Sequence, residues 1–573
     1  MSEAVLRGLA AARGVAVGRV LVLTDVTAPA DGPCGPESQE EAVAALERVR
    51  DELVQAAAEL AAAGRAVEAE IFEANALMAG DPVLTDEVRI LAAEKPAAAA
   101  LLEATEHHAG VLSALSDSTL AARAADVRRL GRRAALVASG AADAHRPDGP
   151  VVLLAADLGP ADVLDLDLAS GRILGIVLAD GSATSHAAIL ARALGVPMVV
   201  GVGPELLAAE GGVEVVLDGD DGVVVLSPDV ATRTAAGEVR HRQEREQSAF
   251  AATRELTPVT SDGRRIRLLC NACTPAEAGA GAAAGAEGIG LLRTELAFVE
   301  APAWPGEDEH EASLAPVLAA FPGCPVTVRT LDFGGDKTPP FLAGIRERGL
   351  ALTLAHPEAL AAQLAGILRA GRGRDLRVLL PLVSSADEVG SVRASLGEQA
   401  KATGWEGDLP PLGAMIETPE AAACAGEIAE AADFVSIGTN DLVQYTLRLD
   451  RALPLASPLA AADPAILALV DAIVAAAHTA GRSVEVCGEA AGEPALVALL
   501  LGLGVDELSV SPARLDEVRA TVLRLSAEEA AAMAQRALAA GSAARALAAA
   551  EALLDQLLDE PGQARDGLGG VLA

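Results

Sequence analysis

The sequence predicts an α/β multidomain protein: a small β/α domain interrupted by an inserted α-helical bundle, followed by a (β/α)8 TIM barrel. Three observations predict it. Strand-like apolar runs punctuated by glycine occupy residues 5–25 and again 151–226, with a long Ala/Glu/Arg-rich stretch of helical periodicity between them. From residue 266 to 512, eight apolar strand-like segments come in order, separated by helical or mixed stretches, which is the count and length of a (β/α)8 barrel. A chain of 573 residues, at roughly 100–200 residues per domain, also asks for about three domains.

Taken in order, VLRGLAAARGVAVGRVLVLTD (5–25) supplies the first strands, and DVTAPADGPCGPES (25–38) is a linker by composition. Leu, Val, Ile and Phe then recur at helical spacing to about residue 140; GDP at 80–82 breaks the run and RPDGP at 146–150 ends it. Strands return with VVLLAAD (151–157), ILGIVLAD (173–180) and VEVVLDGDDGVVVL (213–226). GEVRHRQEREQSAFAATREL (237–256) lacks a wide apolar face and reads as a connecting helix. The barrel strands expected are IRLLCNA (266–272), GIGLLRTE (288–295), VTVRTLD (326–332), RVLLPLVS (377–384), AMIE (414–417), FVSIGTND (434–441), VEVCGE (484–489) and ELSVSP (507–512). The expected domains are 1–25 with 145–227, the helical insert 26–144, the linker helix 228–256, the barrel 257–540, and a C-terminal tail 541–573 that is helical to about 557.

Composition narrows the function classes. Hydrophobic residues make up 51% of the chain, ample for large cores and against wholesale disorder. A net charge of −37 and an aromatic content of 2% argue against binding nucleic acid through phosphates or stacking, and favour a basic protein partner. No apolar run approaches the roughly 18 residues of a membrane span, MSEAVLRGLAAARG lacks the order of a signal peptide, and six cysteines form no disulfide framework; a cytoplasmic protein is expected. CNAC (270–273) ends a strand and has no second ligand pair, so it reads as small residues packing there.

In a (β/α)8 barrel the reactive groups sit at the C-terminal strand ends. Those ends here carry Arg293, Arg329, Glu417, Asn440 with Asp441, and Cys487 with Glu489. Arg293, Arg329, Lys337 and Arg451 supply fixed positive charge suited to carboxylate and phosphate oxygens. Glu417 and Asp441 are hard oxygen ligands of the kind Mg²⁺ uses beside a phosphate, although either alone would also serve as an arginine partner. Cys487 is a packing residue or a proton donor or nucleophile. Together they ask for a small anionic ligand.

DGSATSHAAILARALGVPMVVG (180–201) adds a second centre. Thr184 and Ser185 are natural helix caps, and a helix N-terminus attracts anions while disfavouring imidazolium, so His186 is either a capping histidine or a neutral nucleophile poised to carry a phosphoryl group. The remaining histidines (107, 108, 145, 241, 310, 356, 478) read as surface residues.

These segments resemble the PEP-utilising enzymes. GSATSHAAILARALGVPMVVG is similar to their phosphohistidine segment; GIGLLRTE, RTLDFGGDK, AMIETPEAA, FVSIGTNDLVQYTLRLDR and VCGEAAG are similar to their barrel motifs. The domain order is that of the branch acting in sugar uptake. The resemblance, running from about residue 7 to 525, implies that the barrel binds PEP with Mg²⁺ on Glu417 and Asp441. It implies that Arg293, Arg329, Arg348 and Arg451 hold the carboxylate and phosphate, assisted by Asn440 and Lys337. His186 would take the phosphoryl group, Cys487 would protonate the enolate to pyruvate, and the phosphohistidine domain (1–25 with 145–227) would swivel to the insert (26–144), where the phosphocarrier protein HPr docks. A homodimer through the barrel domain is also implied.

The chain departs from the family pattern in places. TPPFLAGIRERG after GGDK is short and makes Arg346 an alternative to Arg348. Ala351 stands where another arginine is frequent, Ser182 replaces a glycine, and Asn75 replaces a histidine in the HPr-binding helices. Two other readings compete. A dikinase or PEP synthase would need an ATP-binding domain before the histidine, where this chain has a short Ala-rich block. A non-catalytic PEP or HPr sensor would be favoured by loss of His186, Cys487 or a metal carboxylate, all of which are present.

Overall fold

The computed structural model describes residues 3–23, 34–62, 66–114, 118–140, 149–158, 172–181, 187–188, 191, 195–299, 301–334, 337–449 and 458–557. They fall into two compact units that divide between Glu246 and Gln247.

The first unit holds an eight-stranded mixed sheet: β1 (Ala4–Arg7), β2 (Leu9–Ala12), β3 (Val15–Val22), β4 (Val151–Ala155), β5 (Ile173–Leu178), β6 (Met198–Val200), β7 (Glu214–Asp218) and β8 (Val223–Leu226), in spatial order 1-8-7-3-4-5-6-2. Its central strands β4, β5 and β6 are Val/Leu/Ile-rich and buried on both faces, with Leu153, Ile176 and Met198 in one layer and Val152, Val177 and Leu217 of β7 in the other. β3 and β4 pair in parallel, Val20 beside Val152, although the whole helical block lies between them in sequence. The described residues of that block form five helices, Pro36–Ala62, Ala66–Ala79, Pro82–Ala92, Ala97–Ser113 and Ser118–Ala138, around a core that includes Leu46, Leu53, Val88, Leu101 and Leu130. The GDP break at 80–82 is a cap: Asp81 accepts from the Val83 N–H at 2.8 Å, with Pro82 in the first turn. Asn75 is buried in this bundle at 3% exposure, so its side chain serves packing rather than the surface.

The second unit is a closed barrel of eight parallel strands: β9 (Arg267–Ala272), β10 (Ile289–Leu292), β11 (Pro325–Arg329), β12 (Asp375–Leu380), β13 (Leu412–Ile416), β14 (Phe434–Ile437), β15 (Val484–Val486) and β16 (Glu507–Val510), closed by pairing β16 with β9. All eight expected strands form. Side chains alternate: Leu268, Ile289, Val326, Val378 and Ile416 face the surrounding helices, while Leu291, Leu379, Met415, Phe434 and Cys487 fill the interior. Among the described residues no helix is long and apolar enough to cross a membrane.

Two expectations need correction. His310, expected at the surface with the other histidines, is 1% exposed. The helix Glu307–Leu318 turns it inward with Leu314 and Val317; it stacks edge-on against Phe298 (4.9 Å), and Gly366 leaves room for it. Burial pushes its imidazole down to about 4. Second, residues 543–557 are no tail. The helix Ala543–Leu557 places Ala546, Ala550 and Leu554, spaced by four, in the barrel's own core.

Candidate active site

Polar residues follow the apolar barrel strands at one end. Arg329 is the last residue of β11, and Arg293, Glu417 and Cys487 come directly after β10, β13 and β15. Asn440 and Asp441 open the helix Thr439–Leu447 that follows β14. The parallel register brings these ends together, and the hydrogen bond from the Glu489 N–H to Asn440 Oδ1 (3.0 Å) ties two of them.

The cations are fixed by acids that sequence reasoning did not single out. Glu295, fully buried, accepts from Arg329 Nη2 at 2.6 Å and from Lys337 Nζ at 2.9 Å through one oxygen. Asp332 lies 3.2 Å from Arg329 and 3.9 Å from Arg348. Burial opposes charge on Glu295, but Arg329 and Lys337 outweigh it and hold the carboxyl at about 2. Burial likewise opposes charge on Arg329, and Glu295, Asp332 and Glu417 more than compensate, so its guanidinium stays cationic. Arg293 is half-buried and, among the described residues, makes no ion pair. The signal for Glu295 and Asp332 was present in RTE and TLD, where an acid stands within three residues of each barrel arginine.

Arg346 and Arg348 differ in their surroundings. Arg346 is exposed, whereas Arg348 reaches Asp441 Oδ1 at 3.2 Å and the Tyr445 hydroxyl at 3.1 Å. Gly334 makes this possible, since a Cβ there would sit 2.6 Å from the Arg348 Cβ.

Opposite the cations, Glu417 accepts from the Leu382 N–H at 2.9 Å. Leu382 holds φ +49°, a conformation costing on the order of 1–3 kcal/mol for a side chain of its kind. Burial first, then Asp441 and Asp332, push the Glu417 carboxyl well above the usual range. Such a concentration of negative charge fits a divalent cation shared by Glu417 and Asp441. Cys487 is 2% exposed, accepts from Ser436 Oγ (3.3 Å), and is pushed up to about 12 by burial and by Glu485. It is a thiol at neutral pH, able to give a proton and unsuited to acting as a thiolate nucleophile.

His186 and Arg451 lie outside the described residues.

Family profiles tile the chain: PEP-utilising enzyme, N-terminal, over residues 7–123; the mobile domain over 147–222; and the PEP-binding domain over 247–527. A phosphoenolpyruvate-protein phosphotransferase of Streptomyces coelicolor is 37% identical over 569 residues, covering 96% of this chain and 99% of that one. The chain belongs to the PEP-utilising enzymes. Two multiphosphoryl transfer proteins are also similar: that of Rhodobacter capsulatus is 39% identical over 497 residues, 83% of this chain, and that of Xanthomonas campestris pv. campestris 38% over 535, 90% of this chain. The chain spans 58% and 63% of their lengths. The barrel site just described lies within the stretch matched by the family's PEP-binding domain, and residues 180–201 lie within its mobile domain.

Proposed function

We propose that this chain moves the phosphoryl group of PEP onto its own His186 and then to HPr, releasing pyruvate as the first step of sugar uptake through the phosphotransferase system. The observation that carries this reading is the convergence of Arg329, Arg348 and Lys337 with Glu417, Asp441 and a protonated Cys487 at one end of the barrel. The guanidinium groups, with Arg293, Asn440 and Arg451, would hold PEP's carboxylate and phosphate. Glu417 and Asp441 would hold Mg²⁺, which when bound neutralises charge on the phosphoryl oxygens. The bond from phosphorus to the enol oxygen breaks as a bond to a His186 ring nitrogen forms. Cys487 then gives its proton to C3 of the enolate, completing the methyl group of pyruvate.

The helical insert supports docking of HPr. Leu77, Val83 and Ile90 are 77%, 65% and 71% exposed on the consecutive helices Ala66–Ala79 and Pro82–Ala92, with Glu47 and Asp86 nearby in an otherwise acidic chain. A cytoplasmic homodimer formed through the barrel domain completes the reading.

The test is incubation of the purified protein with Mg²⁺ and phosphoryl-labelled PEP, comparing wild type with His186→Ala. Acid-labile, base-stable label is expected on wild type alone, passing to HPr when it is added. PEP binding without label would overturn the reading and leave a sensor of PEP.

A further inference from the structure

Arg348 reaches the site from an exposed stretch of chain. The five residues before it, 343–347, are all exposed, and its own backbone is extended (φ −142°) at the start of the helix Gly349–Ala355. Burial resumes at Gly349, whose N–H donates to the Phe333 carbonyl at 3.2 Å. A long, flexible side chain carried on such a segment loses rotamer freedom when it grips an anion, unless something holds it beforehand.

The helix Thr439–Leu447 holds it. Asp441 and Tyr445 stand four apart there, so their side chains share one face a turn from each other. Asp441 Oδ1 accepts from Arg348 Nη2 at 3.2 Å, and the Tyr445 hydroxyl accepts from Nη1 at 3.1 Å. The two contacts engage both terminal nitrogens of the guanidinium fork, which fixes the plane of the group as well as its position. Nε is buried and has no hydrogen-bond partner among the described residues, so its N–H and the second hydrogens of Nη1 and Nη2 remain for an anion. Asp441 has a further task in the reading above, where it also holds Mg²⁺. Tyr445 has none: it is the chain's single tyrosine, 40% exposed, and the proposed chemistry leaves it unused. Resting on the reading that the barrel binds PEP, we propose that Tyr445 is a positioning residue whose hydroxyl holds the Arg348 guanidinium in the orientation that receives PEP. A hydroxyl suits this task because it orients the cation without adding negative charge that would repel the ligand. Tyr445 itself touches neither PEP nor metal.

The experiment is equilibrium binding of labelled PEP, with Mg²⁺ present, to full-length His186→Ala protein, in which no phosphoryl transfer to His186 consumes the ligand. Adding Tyr445→Phe, which keeps the ring and removes the hydroxyl, is expected to raise the Kd for PEP about 3–10-fold. In an Arg348→Lys background the cation is kept as a point charge with no plane to orient, and the same change should move Kd less than about twofold. An unchanged Kd after Tyr445→Phe overturns the proposal. So does an equal loss in both backgrounds, the result expected of a hydroxyl that only supports the helix or that touches PEP itself. Absence of PEP binding to the His186→Ala protein would instead overturn the PEP reading, and this proposal with it.

Discussion

Glu295 and His310 are both buried ionisable residues that local sequence made look ordinary, and they show what tertiary context adds. Glu295 closes the expected strand GIGLLRTE without being singled out there, and it anchors Arg329 and Lys337 where three chain segments meet. His310 lies among acids that would stabilise its charge at a surface, yet the helix turns it into a packed interface where, among the described residues, its Nε2 has no hydrogen-bond partner. Its native-state value, about 4, lies below the ordinary 6.5. The unfolded chain therefore binds the proton more readily, so the stabilising contribution is complete above pH 6.5 and is lost as pH falls toward 4. A span of that size corresponds to on the order of 3 kcal/mol. In thermal melts across this range, His310→Phe, which keeps an aromatic ring against Phe298 and carries no charge, should flatten the decline. An unchanged slope would mean that His310 does not govern it.

Elements were more legible than residues. The apolar runs of β10, β11 and β13 stop at Arg293, Arg329 and Glu417, so the same break that ends each of these strands marks a candidate site residue. The helix Ala543–Leu557 was harder to place, because alanine lines both its buried and its solvent-facing sides and leaves little contrast. Glycines at strand ends were invisible as site elements for another reason: their role is to leave space. Gly438 follows β14 beside Glu417, and a Cβ there would sit 2.5 Å from Glu417 Oε2, whose side chain is buried and cannot retreat. Gly438→Ala should displace that carboxylate and raise the Mg²⁺ concentration needed for labelling from PEP by about 10–100-fold. An unshifted Mg²⁺ titration would overturn the proposal that Glu417 holds Mg²⁺.

At the scale of the molecule, the chain divides into two compact units, each with buried clusters of its own among the described residues. Damage to one core should therefore register in one unfolding transition. The C-terminal helix offers the cleanest case, since Ala546, Ala550 and Leu554 belong to the barrel cluster. Ending the chain at residue 541 would expose the surface those side chains cover, a loss of about 3 kcal/mol from one leucine and two alanines. For a unit the size of the barrel, this lowers the melting temperature by roughly 5 °C. Calorimetry on the full chain and the truncated one should show the barrel's transition moving while the other holds. Equal movement of both would mean that the units unfold together, and movement of neither would return residues 543–557 to the tail that composition suggested.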